Sequence, residues 1–101
     1  MKNISKKVPS KNGILYIYPV IYNGKTTKVN IDGNPDGLRY LANLLNYVAD
    51  LEQGKMALPD GERFHIHLKA GNELGWHSSE VEICRADAKG TGELPQYMDQ
   101  G

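Results

Sequence analysis

Four short stretches of the chain have the residue pattern of β-strands, and a longer stretch between them has a helical period. The first two stretches flank Asn23-Gly24, a pair typical of a type I′ hairpin turn because both residues tolerate positive φ. In the third, Phe64 and Ile66 alternate with polar residues, as in a half-buried strand. Strands are predicted over residues 14–22, 25–32, 62–69 and 80–86.

The longer stretch predicts one main helix between the two pairs of strands. Asn34 can act as N-cap, Pro35 suits the first helical position, and Gly54 suits the C-cap. These limits predict a helix of about 18 residues that supplies most of the core side chains. Its predicted apolar stripe consists of Leu38, Leu41, Leu45 and Val48, is widened by Leu44 and Leu51, and is flanked by Tyr40 and Tyr47.

The order β-β-α-β-β predicts an α+β fold. We expect a two-layer sandwich with one main helix on one face of a four-stranded, mostly antiparallel sheet. Pro19 cannot donate a hydrogen bond to a ladder, so its strand should lie at an edge or form a bulge there. Composition divides the chain into a flexible basic leader at 1–13, a single domain at 14–86, and a tail containing glycine and proline at 87–101.

One helix covers one face of such a sheet and leaves the other face open. Alternation places aromatic, basic and acidic side chains on that open face, a mixture typical of a recognition surface, although many such faces are merely solvated. Trp76 lies in the loop before the last strand and would be a binding anchor if exposed, but closing the core is the role we expect. The candidate partner-binding residues are Tyr16, Tyr18, Arg63, His65, His67, Trp76, Glu80 and Glu82.

Charge is distributed unevenly along the chain although it sums to zero. Residues 1–31 hold six lysines and no acid, whereas residues 32–101 hold twelve acids and six basic residues. Zero net charge argues against a dedicated nucleic-acid binder, and an acidic patch suits a basic protein partner. No stretch is long and apolar enough to span a bilayer, and a single cysteine, Cys84, excludes an internal disulfide, so we expect a cytoplasmic protein.

His65-x-His67 is the pattern closest to a metal site, because two histidines two residues apart on a strand share a face. His77 or Glu80 would be a third ligand, but no clear fourth ligand accompanies them, and we expect no metal and no cofactor. Cys84 lacks an activating context, and no glycine loop has the spacing of a phosphate-binding site. We therefore expect no catalytic residues and a protein that is not an enzyme.

Three segments of the chain carry a resemblance to a known family. They are Gly33–Leu45 with its N-P-x-G-L-x-x-L-A-x-L-L helix start, Phe64–Leu68 with its H-x-H-L strand, and Ser79–Ile83 with its acidic-aliphatic alternation. In these features the chain resembles immunity protein family 32 of bacterial polymorphic toxin systems, over roughly residues 26–86.

The resemblance implies a non-enzymatic bacterial protein that is encoded beside a toxin gene and binds the toxin. On this basis we expect an immunity protein that neutralises a cognate toxin domain by steric occlusion. The residues alone leave an alternative, a small ligand- or metal-binding domain that uses His65 and His67. A homodimer formed through open faces or edge strands is the third interpretation.

Overall fold

The computed structural model describes residues 7–100, so the start of the predicted basic leader lies outside the described part of the chain. The order of elements is β-β-α-β-β, and the predicted α+β fold is confirmed. The elements are β1 (Leu15–Tyr22), β2 (Lys25–Gly33), α1 (Pro35–Asp50), β3 (His65–Leu68) and β4 (Val81–Cys84), with 3₁₀ turns at Gln53–Lys55 and Gln96–Gln100.

Strands β1 and β2 form the hairpin that the Asn-Gly pair predicts. Asn23 and Gly24 both have positive φ, 51° and 75°, as a type I′ turn requires. The antiparallel register shifts between Val20 and Ile21, one residue beyond Pro19. This irregularity agrees with the interruption that the proline predicts.

The four strands form two separate two-stranded antiparallel sheets, β1-β2 and β3-β4, instead of one continuous sheet. The loop before β4 connects them, because the Gly75 and Ser79 amides donate to the Leu15 and Ile17 carbonyls at 2.8 Å and 2.9 Å. Backbone groups of a strand point alternately to its two sides, so after Leu15 and Ile17 the next nitrogen of β1 that faces the loop before β4 is that of Pro19. Since Pro19 has no N–H, the pairing stops there and β4 does not join β1.

Helix α1 lies across the inner faces of both hairpins and closes one core. Its centre consists of Leu15, Ile17, Tyr40, Leu44, Leu68 and Leu74. Leu41, Ile66, Val81 and Ile83 pack against this centre. Each buried leucine contributes about 1.5–3 kcal/mol of transfer free energy, so the shared core holds the two hairpins together.

The buried stripe of α1 is rotated relative to the predicted one. The residues that the helix buries are Gly37, Tyr40, Leu44 and Val48. Leu38 and Leu45, which were predicted to be buried, are 44% and 48% exposed. The cause lies at Gly37, where a Cβ atom would stand 1.9 Å from the Ile14 carbonyl oxygen. Because only glycine permits this close approach, the glycine face of the helix turns inward.

A side chain caps the N-terminus of α1 as predicted. The Asn34 side-chain oxygen accepts hydrogen bonds from the Gly37 and Ile14 amides at 2.8 Å and 2.9 Å, which also ties the helix to the start of β1. The C-terminus differs from the prediction: the helix ends at Asp50, and Gly54 lies in the following 3₁₀ turn. Within residues 7–100, no helix has both the length and the apolar character of a membrane span.

The segment after β4 folds back onto the 3₁₀ turn that follows α1. Gln53 is buried there, and its side chain donates to the Asp87 carbonyl and accepts from the Phe64 amide, both at 2.8 Å. Ala88 is 5% exposed and adds a small apolar contact. The start of the predicted tail therefore packs on the body, while the domain limits remain a prediction.

Candidate functional site on the outward face

Two hairpins present polar and aromatic side chains on the side opposite α1. Their intervening neighbours, such as Leu15, Ile17 and Leu68, lie in the core, so alternation points the remaining side chains away from the helix. We call this surface the outward face. It consists of Tyr16 and Tyr18 from β1, His65 and His67 from β3, and Glu80, Glu82 and Cys84 at β4.

A histidine–carboxylate cluster occupies the β3–β4 part of the outward face. Strand pairing places His67 opposite Glu82. His67 Nδ1 lies 2.9 Å from a Glu80 carboxylate oxygen, and His67 Nε2 lies 3.5 Å from a Glu82 carboxylate oxygen. The His65 ring stands edge-on to the His67 ring with 5.1 Å between centroids. The two histidines and two glutamates of the predicted site are thus brought together.

Cys84 borders this cluster without the features of a nucleophile. Its register partner is His65, and its Sγ donates to a Glu82 carboxylate oxygen at 3.2 Å. Desolvation, followed by the Glu82 carboxylate, raises the pKa of the Cys84 thiol. The protonated thiol is the form that this setting favours, whereas nucleophilic attack needs the thiolate.

The β1 part of the outward face is aromatic. The Tyr16 ring stacks on His77 with 6.2 Å between centroids and 24° between planes. The Tyr18 hydroxyl donates to Asp32 at 2.6 Å and accepts from Asn30 at 3.3 Å. These bonds fix both tyrosines in place, and a fixed aromatic side chain loses little entropy when a partner binds.

Trp76 lies outside the core, contrary to the role we expected for it. Its side chain passes over Gly71, where a Cβ atom would stand 2.5 Å from the indole, yet the residue is 79% exposed. Leu74 takes the core position instead and is 1% exposed. Trp76 precedes His77, which stacks on Tyr16, so its exposed indole adjoins the outward face.

Arg63 is separated from the rest of the predicted set. Its guanidinium donates to the Ala86 carbonyl at 2.6 Å and to the Glu93 carbonyl at 2.9 Å. These bonds tie the segment before β3 to the segment after β4. The Arg63 donors therefore serve the fold, as the Tyr18 hydroxyl also does through Asp32.

Sequence patterns alone did not identify two features of this site. Glu82 was predicted on the open face, but the register that sets it against His67 depends on the length of the long loop before β4. The second feature is the close approach at Gly75, where a Cβ atom would lie 2.1 Å from the Tyr16 ring. Both features depend on tertiary contacts between segments that are far apart in the sequence.

Comparison with known proteins identifies a family for most of the folded region. The model of immunity protein 32 matches residues 28–86, which include α1, both strands of the β3–β4 hairpin and most of β2. No curated protein and no solved structure matches the chain. The family match covers more than half of the 101 residues and contains the helix start and the histidine strand that carry the resemblance. The chain therefore belongs to the immunity protein 32 family.

Proposed function

We propose that this protein neutralises a bacterial toxin domain by binding it through the outward face and blocking it sterically, without an enzymatic step. The observation that carries this proposal is the indole of Trp76, which is 79% exposed beside that face. Tryptophan is one of the residue types enriched in binding hot spots. Membership of an immunity family supports a protein toxin as the partner.

The chemistry of the outward face supports a protein partner. Aromatic residues are enriched in interfaces, and here Tyr16 is stacked while Tyr18 is hydrogen-bonded at its hydroxyl. The same outward face carries the carboxylates of Glu80 and Glu82, with side chains 55% and 51% exposed. An ordered aromatic patch with an acidic rim suits a partner that presents basic groups around an apolar pocket.

The experiment is to co-express the protein with the toxin domain encoded beside it and to measure their affinity with an inactivated toxin. Trp76→Ala should raise Kd by about 30-fold or more, the loss expected for a hot spot worth about 2 kcal/mol, and should weaken protection of the host. Asn46→Ala, on the exposed side of α1, is the control and should leave Kd unchanged. Equal Kd values for the wild type and Trp76→Ala would contradict the proposal.

We propose self-association through β2 as a second candidate, which its exposed apolar residues favour. Val29 and Ile31 are 59% and 52% exposed, and β2 pairs only with β1 within residues 7–100. Antiparallel pairing with a second copy about Asn30 would set Val29 opposite Ile31. The same register would set Lys28 opposite Asp32. Because the dimer is symmetric, the Val29–Ile31 pair and the Lys28–Asp32 pair would each occur twice.

Light scattering tests this register. Lys28→Asp should convert a dimer to a monomer because two carboxylates would then face each other, and adding Asp32→Lys should restore the dimer. A monomeric wild-type protein at all accessible concentrations would overturn the candidate.

A further inference from the structure

The donor atoms in the histidine–carboxylate cluster are arranged as a metal-binding group. One ligand atom from each of His65, His67 and Glu82 lies within 4.8 Å of the other two. We propose that these three side chains bind a zinc ion on the outward face. The proposal concerns the isolated protein and does not depend on a toxin partner.

Strand geometry holds the three side chains on one surface. His65 and His67 are two residues apart on β3, so they project on the same side. The antiparallel register sets Glu82 of β4 directly opposite His67. Directly opposed side chains have Cβ atoms about 4.5–5.5 Å apart, a separation that one metal ion can bridge.

The distance between His67 and Glu82 matches two ligands of one ion. Zinc binds nitrogen and oxygen donors at about 2.0–2.2 Å, which in a tetrahedron sets neighbouring donors roughly 3.4 Å apart. His67 Nε2 and the Glu82 oxygen are 3.5 Å apart. In the tautomer that carries its proton on Nδ1, His67 Nε2 and the Glu82 oxygen can each offer a lone pair to one cation.

Each histidine also has an acceptor at its other ring nitrogen. His67 Nδ1 lies 2.9 Å from Glu80 Oε2, and His65 Nδ1 lies 3.4 Å from the Arg63 carbonyl oxygen. Metal-ligating histidines characteristically donate this second N–H to a carboxylate or a backbone carbonyl, which fixes the tautomer and the ring orientation. Both contacts favour Nε2 as the ligand atom. The sequence suggested His77 or Glu80 as third ligand, whereas the structure assigns Glu82 that role and places Glu80 behind His67.

The donor set selects the class of metal. Two imidazole nitrogens and one carboxylate oxygen suit zinc better than calcium or magnesium, which prefer sets made only of oxygen. Three protein ligands leave the fourth position of a tetrahedral ion to solvent. The side chains of His67 and Glu82 are 42% and 51% exposed, so an ion can reach the site without unfolding.

The test is to titrate the full-length protein with zinc chloride after chelator treatment, using calorimetry and histidine-ring ¹⁵N NMR. We expect saturation at one equivalent, with the Nε2 resonances of His65 and His67 shifting and those of His77 unchanged. His77 stacks on Tyr16 outside the cluster and provides an internal control in every spectrum. Absence of heat at micromolar zinc together with unshifted His65 and His67 resonances would overturn the proposal.

Matched variants identify the ligands. Glu82→Gln and His67→Gln should each weaken zinc binding by at least about tenfold, since even residues behind the ligands contribute that much. His77→Gln and Cys84→Ser should bind zinc as the wild type does. The mutated side chains are exposed, and an unchanged amide spectrum will verify the fold of each variant. Equal loss of binding in His77→Gln, or undiminished binding in Glu82→Gln, would refute this ligand assignment.

Discussion

Arg85 completes the C-terminus of α1 from outside the helix. Its guanidinium donates to the Val48 and Leu51 carbonyls at 3.1 Å and 2.8 Å, where helical carbonyls lack partners. It also forms two bonds to the Asp87 carboxylate, at 2.8 Å and 2.7 Å. The last turn of α1 contains no basic residue of its own, so Arg85 supplies the cation that the helix dipole favours there.

The ion pair between Arg85 and Asp87 also changes the pKa of the Asp87 carboxyl group. The hydrogen bond from Arg85 lowers the pKa of Asp87. Because the pKa is lower in the folded state, the pair stabilises the fold above the unfolded-state pKa, and this contribution falls as the pH drops through the folded-state pKa. The Asp87 carboxylate is thus engaged within the fold.

Replacing Arg85 should destabilise the protein strongly. Arg85→Ala removes the donor to the Val48 and Leu51 carbonyls and the guanidinium partner of the Asp87 carboxylate, and we expect the free energy of unfolding to fall by about 2–3 kcal/mol. Arg39→Ala is the matched control, because Arg39 pairs with Asp36 at 3.5 Å on the surface and should cost at most about 0.5 kcal/mol. Urea denaturation of both variants measures the difference, and equal midpoints would contradict this role of Arg85.

Gly37 should tolerate no side chain. In Gly37→Ala the added Cβ would meet backbone atoms of Ile14, and we expect a loss of about 1–3 kcal/mol or more, despite the better helix propensity of alanine. Gly54→Ala is the control, because a Cβ atom at Gly54 would meet nothing within 4 Å. Thermal unfolding of the two variants gives the comparison. A Gly37→Ala variant as stable as Gly54→Ala would show that the helix does not need this approach.

At the scale of elements, local sequence patterns predicted which strands, turns and helix form, but not how these elements pack against one another. The Asn-Gly turn, the Asn34 cap and the alternation around Ile66 depend on neighbouring residues, and each is found as predicted. The rotation of α1 depends on the contact of Gly37 with Ile14, which are far apart in the sequence. A leucine-rich helix offers several apolar stripes, and only the tertiary contact selects one of them.

The division of the sheet was predictable only in part. Pro19 indicated an interruption of β1, but the sequence did not show that the interruption lies on the side facing β4. The bond from the Ser79 amide to the Ile17 carbonyl, and the bond from the Ile17 amide to the Ser78 hydroxyl at 3.0 Å, replace regular pairing there. These bonds are made by loop residues, which do not follow the alternating pattern of a strand. The pattern of apolar and polar residues therefore could not predict them.

The sequence predicted which residues belong to the candidate site, but not how their side chains are arranged relative to one another. Alternation correctly placed His65, His67 and Glu82 on exposed positions of two strands. The burial of Trp76 was wrong, because Leu74 fills the core beside it and the indole turns to solvent. Average burial of tryptophan says nothing about which of two neighbouring apolar residues enters a core.

At the scale of the whole molecule, opposite charges are separated along the chain. The first 31 residues carry six lysines and no acid, and the rest carries the twelve acids. If the toxin is basic, Glu80 and Glu82 on the outward face will accelerate its association. The double variant Glu80→Gln/Glu82→Gln should then bind more slowly and with a flatter dependence of the on-rate on salt, measured in chelator to keep zinc away. A wild-type on-rate that does not change with salt would contradict this electrostatic contribution.

The central claim is that the outward face, and not the helix side, binds the toxin domain. The most direct measurement is an amide NMR titration of the ¹⁵N-labelled protein with an inactivated form of the toxin domain encoded beside it. We expect the perturbed amides to lie in β1, in β3 and β4, and around Trp76, while the exposed side of α1 around Asn46 stays unchanged. Perturbations confined to α1 would contradict the account and place the toxin on the opposite side of the molecule.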